Sequence, residues 1–229
     1  MERPGGARNR GAGPQRVLDA AEVAFFADLQ RIVSRRNTRC PKDVMRICAA
    51  DAAYGGDHVV AVASVFEDGR LLEESSYVGS CNLPYVSGLF YLREGPFVVE
   101  AIRELEARPQ LVCFDAHGAA HPRFSGLATM CGMVLGIPSI GCAKSLLVGT
   151  VVSGRKGLDR IAYNGRTVGY AAETDGRRRY WSPGYSVNLR ELESIVRRYA
   201  PVCLCAMSES DQASTEQVRA ADHPSSRRA

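Results

Sequence analysis

An apolar run ends on a carboxylate at Leu111-Val-Cys-Phe-Asp115, and the turn that follows, Ala116-His117-Gly118-Ala-Ala-His121-Pro-Arg123, carries two histidines and an arginine. An acid at the C-terminal end of a buried strand stands on a rigid element with its side chain at the rim, where α/β proteins hold ligands and metals. The same acid can simply cap the turn or the next helix, and on this segment alone the two readings weigh equally. A second acid, Asp51, falls on an earlier strand-like run, and Glu94 stands at the start of a helical one, between Arg93 and Gly95. If the strands of Asp51 and Asp115 are neighbours, two carboxylates lie side by side; unpaired, they repel and one takes up a proton. A divalent cation removes that penalty, and oxygen ligands suit Mg²⁺ or Mn²⁺ rather than zinc. Such a site can bind a phosphodiester, turn water into a nucleophile and stabilise the leaving oxygen. Lys144, in Cys142-Ala-Lys-Ser145, supplies a point charge for a phosphate oxygen. Singly, each residue has a plainer explanation: a turn cap, a partner for a helix dipole, a surface cation. Their joint placement at the ends of core elements favours the chemical one.

The elements that must position these residues are legible in the periodicity. Residues 18–36 are predicted helical, with Val23, Phe26, Leu29, Gln30 and Val33 near one face and Pro41 breaking the pattern. Strands are predicted over Arg46–Tyr54, Val59–Phe66 and Leu71–Tyr77, joined by turns at Gly55-Gly56-Asp57 and Asp68-Gly69, which makes an antiparallel meander. A helix over Glu94–Ala107, with Pro96 near its start, precedes the strand Leu111–Phe114. A helix over Ser125–Leu135, stopped by Gly136 and Pro138, precedes the strand Ser139–Lys144. Ile161–Tyr163 and Val168–Ala172 flank the hairpin turn Asn164-Gly165, and Leu189–Tyr199 is a last helix. A meander followed by alternating helix and strand gives an α/β fold, a ribonuclease H-like mixed β-sheet of three antiparallel strands plus parallel strands flanked by helices. That step is an analogy of architecture and does not by itself give function.

The chain has 229 residues, enough for one sizeable core. No apolar span is long enough to cross a bilayer, and the Arg/Gly/Pro-rich start has no apolar segment of a secretory signal. One domain over 17–223 is expected between a disordered basic tail, 1–16, and a short tail, 224–229. Arg31, Arg35, Arg36, Arg39 and Lys42 form one basic cluster and Arg177, Arg178 and Arg179 another; each can meet phosphates, but each alone reads as a solvated face. The eight cysteines sit mostly in apolar runs, without zinc-site spacing. A reduced, cytoplasmic protein without structural disulfides is expected, or a nuclear one in a eukaryote. Cys203-Leu-Cys205 reads as strand or core.

Four segments together resemble the endonuclease V family, the deoxyinosine 3′ endonucleases. Ala49-Ala-Asp51-Ala-Ala-Tyr54 resembles its first-strand acid motif, and Pro84-Tyr85-Val86-Ser87-Gly88 through Arg93-Glu94-Gly95-Pro96 its "PYIPG…FREGP" motif. Asp115-Ala-His117-Gly118-Ala-Ala-His121-Pro-Arg123 is similar to "DGxGxAHPR", and Gly136-Ile-Pro-Ser-Ile-Gly141-Cys-Ala-Lys144-Ser145 to "IPTIGVAKS". The match is strongest over 84–149. The resemblance implies Asp51, Asp115 and Glu94 as metal ligands for Mg²⁺, with Mn²⁺ as substitute, and a catalytic set of Asp51, Glu94, Asp115, Lys144 and a late acid. Val218-Arg219-Ala-Ala-Asp222-His223 fits the family's late "R-x-A-(H/D)" segment, with Asp222 in the active position and His223 as the alternate. Tyr85, preceded by Pro84, matches a wedge that replaces lost base stacking. Gly88, Gly118 and Gly126 match the region that accepts an extruded base, and His121, Lys144 and Ser145 match positions against the nucleic acid.

Three departures stand out. Ser87 replaces the wedge motif's second proline, Ala116 a glycine beside the metal acid, and Tyr185 a common histidine, a position read as structural. The implied reaction is hydrolysis of the second phosphodiester 3′ to a deaminated purine, in DNA repair or inosine-RNA processing, by a monomer that binds nucleic acid and no membrane. Two alternatives stay open: a non-catalytic nucleic-acid-binding protein of the same fold, and RNA as the true substrate.

Overall fold

The computed structural model describes residues 16–34, 43–55, 58–174 and 176–222, with residues 221 and 222 described by their backbone alone. Residues 1–15 and 224–229 of the predicted tails, the cluster Arg35 to Lys42, the Gly56-Asp57 turn and His223 lie outside the described residues. β1 (Arg46–Gly55), β2 (His58–Glu67) and β3 (Arg70–Ser80) form the predicted antiparallel meander. β4 (Leu111–Phe114) and β5 (Ser139–Ala143) then add to β1 in parallel, each reached through a helix: α2 (Phe90–Arg103) before β4 and α3 (Leu127–Leu135) before β5. Four further strands, β6 (Thr150–Arg155), β7 (Leu158–Tyr163), β8 (Arg166–Thr174) and β9 (Arg177–Pro183), complete one sheet in the order β3-β2-β1-β4-β5-β9-β8-β7-β6. The mixed sheet is thus as expected. The β7–β8 hairpin turns at Asn164-Gly165, both with positive φ.

The central strands are buried on both faces, because alternate side chains feed two cores. Cys48, Ala50, Val112 and Phe114 pack with α2, α3 and Val33 of α1 (Ala20–Val33). Ile47, Ala49, Leu111, Cys113, Ile140 and Cys142 pack with α4 (Leu189–Asp222) and Trp181. Among the described residues no helix is long and apolar enough to cross a membrane, and seven cysteines are free thiols. Cys203 is a buried helical residue and Cys205 an exposed one, so neither lies on a strand.

Three features depart from the sequence reading. α2 begins at Phe90 rather than Glu94, since Leu89 and Tyr91 are buried and that turn must be helical to place them. Glu94 is therefore interior to the helix, and so is Pro96. α4 runs on from Tyr199 to Asp222 through Pro201. A proline inside a helix removes one hydrogen bond, but Val196, Ala200, Cys203, Met207, Ser210, Ser214 and Val218 keep a buried stripe at three- and four-residue spacing. Packing of that stripe on the sheet outweighs the lost bond. Finally, β6 and β9 are additional strands: β6 is largely exposed and β9 opens on three arginines, so neither carries an apolar signal in the sequence.

α1 ties the site's loops together. Asp19 and Glu22 form a capping box at its start. The fully buried Gln30 donates through Nε2 to the carbonyls of Gly88 and Ser125, and its Oε1 accepts from Arg123 Nε at 2.6 Å.

Candidate active site

Strand alternation brings the acids together. Side chains at 47 and 49, 111 and 113, and 140 and 142 all face α4, so 51, 115 and 144 continue onto the same face at the strands' C-terminal ends. β1 and β4 are in register at Ala50 and Phe114, which sets Asp51 opposite Asp115 one step on. The Lys144 Nζ lies 2.6 Å from Asp115 Oδ2. α4 is docked on β1 where the Ser210 hydroxyl meets Ala49 O at 3.2 Å, and the next residue, Asp211, reaches Asp51 closely enough to share a proton with it. Glu94 comes from α2, is 7% exposed, and interacts electrostatically with both Asp51 and Asp115. The Tyr54 hydroxyl lies beside Glu94, and the Arg93 guanidinium stacks over the Tyr54 ring at 4.7 Å.

This concentration of negative charge is only partly compensated. Burial first, then the nearby Asp115 and Asp211 carboxylates, push Asp51 up to about 7. Burial, then Asp51 and Asp115, push Glu94 up to about 8, although Arg93 and Tyr54 pull it back. Lys144, held charged chiefly by its bond to Asp115, is the nearest relief. As the side chains stand, no three acids, histidines or cysteines among the described residues are close enough to grip an ion. The donor set nevertheless fits a hard divalent cation: it offers oxygen atoms only, in a partly buried place where Asp51 and Glu94 hold on to protons above their ordinary range.

A pH effect follows. Both groups titrate above their unfolded values, so between about pH 4 and pH 8 the folded protein keeps protons that the unfolded chain releases. The stability they contribute is full at the acid end of that window and gone at the alkaline end. Mg²⁺ or Mn²⁺ should therefore raise the melting temperature strongly at pH 8 and little at pH 5. An equal shift at both pH values would count against these carboxylates as the ligands.

Beside the acids lies a cavity of about 430 Å³, mostly apolar, whose walls include Tyr85, Gly88, His121, Gly126, Lys144 and Ser145. Tyr85 stands at its rim, 62% exposed, and tilts against Phe90 with ring centroids 6.0 Å apart. Pro84 is partly buried and precedes Tyr85 without lining the cavity. Gly118 does not line it either: a Cβ there would fall 2.1 Å from Pro183 O, so this glycine serves close packing of the Asp115 turn on β9. At Gly126 a Cβ would fall 2.2 Å from His117 O. His121 is buried, and desolvation, then Arg123 and His117, push it down to about 4. It is a neutral hydrogen-bonding group rather than a countercharge for phosphate. Ala116 and His117 also line the wall, and the His117 Nδ1 is buried with no partner among the described residues. Tyr185 takes its place in packing, its N–H donating to Ser139 Oγ at 2.8 Å.

The expected late acid, Asp222, and a second acid, Asp211, stand at different places on α4. Asp222 ends α4, eleven residues beyond Asp211 on the same unbroken helix, which is about 16 Å along the axis. Asp211 stands beside Asp51, and Val218, between the two acids, already packs on Val60 and Val62 of β2. No local pattern marks Asp211; only the stripe that docks α4 on β1, read through Pro201, would have found it.

The model of the endonuclease V family matches residues 27–203. A relative named endonuclease V from Saccharolobus islandicus is 37% identical over 188 residues, 80% of this chain and 90% of its own. The chain belongs to the endonuclease V family. Another endonuclease V, from Geotalea uraniireducens, is 38% identical over 66% of this chain and 68% of its own. Among solved structures, endonuclease V of Streptomyces avermitilis superposes with a TM-score of 0.77 at 25% identity, covering 92% of this chain and 100% of that one. Endonuclease V of Ciona intestinalis, in complex with a 23mer DNA containing an inosine followed by a ribo-adenosine, has the same fold: TM-score 0.75, 17% identity, 88% of this chain and 99% of that one. The match to the endonuclease V model ends at 203, ahead of both Asp211 and Asp222.

Proposed function

We propose that this protein cleaves nucleic acid containing a deaminated purine, chiefly inosine, by hydrolysing the second phosphodiester 3′ to the lesion. The observation that carries the reading is the meeting of Asp51, Glu94, Asp115 and Asp211 beside an apolar cavity rimmed by an exposed tyrosine. The extruded base enters the cavity, where small residues leave room for it, and Tyr85 fills the gap it leaves in the stack. Lys144 passes from Asp115 to a phosphate oxygen as substrate arrives. Asp51, Glu94, Asp115 and Asp211 would hold Mg²⁺, for which Mn²⁺ could substitute, and the ion would supply the Lewis acidity that lowers the pKa of an attacking water. The binding of inosine-containing DNA by the Ciona relative supports the substrate class.

The test is a labelled oligonucleotide with one inosine, incubated with protein and Mg²⁺. Cleavage at the second bond is expected, and Asp115→Ala should abolish it; an Asp115→Ala protein as fast as the parent would overturn the assignment. We take Asp211, rather than the expected Asp222, as the α4 acid of this chain. Asp211→Asn should cut the rate by about a hundredfold or more, and Asp222→Asn by less than about twofold. The reverse order would return the role to Asp222. Tyr85→Ala should weaken binding to inosine-containing DNA about tenfold and to unmodified DNA much less. Equal losses would reject the wedge. The ribo-adenosine after inosine in the Ciona complex favours a second reading, in which the natural substrate is RNA. Matched DNA and RNA oligonucleotides, compared by rate, separate the two readings through any 2′-hydroxyl contact.

A further inference from the structure

A second groove, of about 370 Å³, opens on the other side of the acids and shares Asp115 and Lys144 with the first cavity. Arg177 and Arg179 of β9 form its basic wall, and Glu209 and Asp211 of α4 face them. Alternation along β9 sorts the three consecutive arginines. Trp181 packs toward α4, so Arg177 and Arg179 point the same way and Arg178 points to the opposite face. Arg178 is already committed, bonded to Asp159 at 2.8 Å. Neither Arg177 nor Arg179 has an ion pair among the described residues, and the Nε of Arg179 is buried with no partner. A guanidinium donor withdrawn from water and left unpaired is costly. The antiparallel register of β5 and β9 pairs Ala143 with Tyr180, so Arg179 lies directly across from Lys144. Arg177 stands two residues further on, about 6.7 Å along the strand. Lys144, Arg179 and Arg177 therefore form a bent row that leaves Asp115, crosses from β5 to β9 and then follows β9.

We infer that this groove binds backbone phosphates of the nucleic-acid strand on the 3′ side of the cleaved bond. The inference rests on the nuclease reading above, which sets the direction. With the base in the first cavity and the reacting phosphate at Asp115 and Lys144, the strand continuing 3′ leaves by way of Arg179 and Arg177. Arginine suits the task, because its fork gives two parallel hydrogen bonds to a phosphate and satisfies the orphaned Nε.

The test compares two labelled single-stranded oligonucleotides with the same inosine. One ends two nucleotides beyond it, the other six nucleotides further. Binding is measured by fluorescence anisotropy in EDTA, with intact oligonucleotide verified on a gel. The parent should bind the longer one about tenfold more tightly. Arg177→Gln/Arg179→Gln should lose that gain, bind the short oligonucleotide within about twofold of the parent, and show a salt dependence lower by about 0.7 per lost contact. Arg178→Gln removes a single charge from the opposite face and should keep the gain; melting temperatures confirm that the variants fold. The inference is overturned if the double variant weakens both oligonucleotides alike, if it weakens neither, or if Arg178→Gln loses the gain as fully. Replacing inosine by adenosine keeps the two questions apart. A parent that does not distinguish them fails the lesion reading, while the length contrast still decides the groove.

Discussion

Asp51→Asn should cut cleavage about a thousandfold and yet raise the melting temperature of the metal-free protein at pH 8. Both halves follow from one arrangement. Asp51 is partly buried beside Asp115 and Asp211, and its carboxyl is pushed up to about 7, so at pH 8 the folded state confines charge that the unfolded chain would expose to water. A shift of that size corresponds to a few kcal/mol, or roughly several degrees in a domain of this size. Asparagine keeps the shape, can donate to Asp211 where the protonated acid did, and removes the repulsion. It also removes a charged oxygen ligand, so the gain should vanish in saturating Mg²⁺, where the parent recovers what the cation contributes to its folded state. A variant that melts below the parent in EDTA, or that cleaves at the parent's rate, would show that Asp51 is not a strained ligand.

Gly118→Ala should destabilise the protein by about 3 kcal/mol and slow cleavage by about a hundredfold, although Gly118 touches neither the cavity nor the acids. Its missing side chain is what lets the Asp115 turn lie on the end of β9. A Cβ would sit 2.1 Å from the Pro183 carbonyl oxygen and 2.7 Å from its carbon, both backbone atoms that cannot swing aside. The Gly118 N–H donates to Ser182 Oγ at 2.8 Å and the Ala119 N–H to Pro183 O at 2.7 Å, so the clash falls on the hydrogen bonds that fix the turn. The turn must move, and Asp115 moves with it relative to Asp51. Thermal melting and the inosine cleavage assay check the two effects. A variant that melts and cleaves like the parent would mean the turn is not held as described. Ser182→Ala, which loses one hydrogen bond without forcing a displacement, should cost only about 1 kcal/mol.

Local chemistry is enough to encode part of this molecule. An apolar run ending in an acid marks Asp115 as the end of a buried strand, and alternation in β1 sets the side on which Asp51 emerges. Asn164-Gly165 forms its hairpin turn, because positive φ at both residues is a property of those residues and not of their neighbours. The motifs around Tyr85, Asp115 and Lys144 carried the family, which the match over residues 27–203 established. The remainder depends on long-range packing. Glu94 lies inside α2 because buried Leu89 and Tyr91 start that helix early. Gly118 is a packing glycine because β9, a strand with no apolar signal at its start, runs past it. Asp211 joins the acids because a buried stripe carries α4 across β1 despite Pro201, bringing together two residues 160 positions apart in the chain. Periodicity reports which face of an element is apolar; it does not report which element that face will meet, and the partners of a charged site are chosen at that second step.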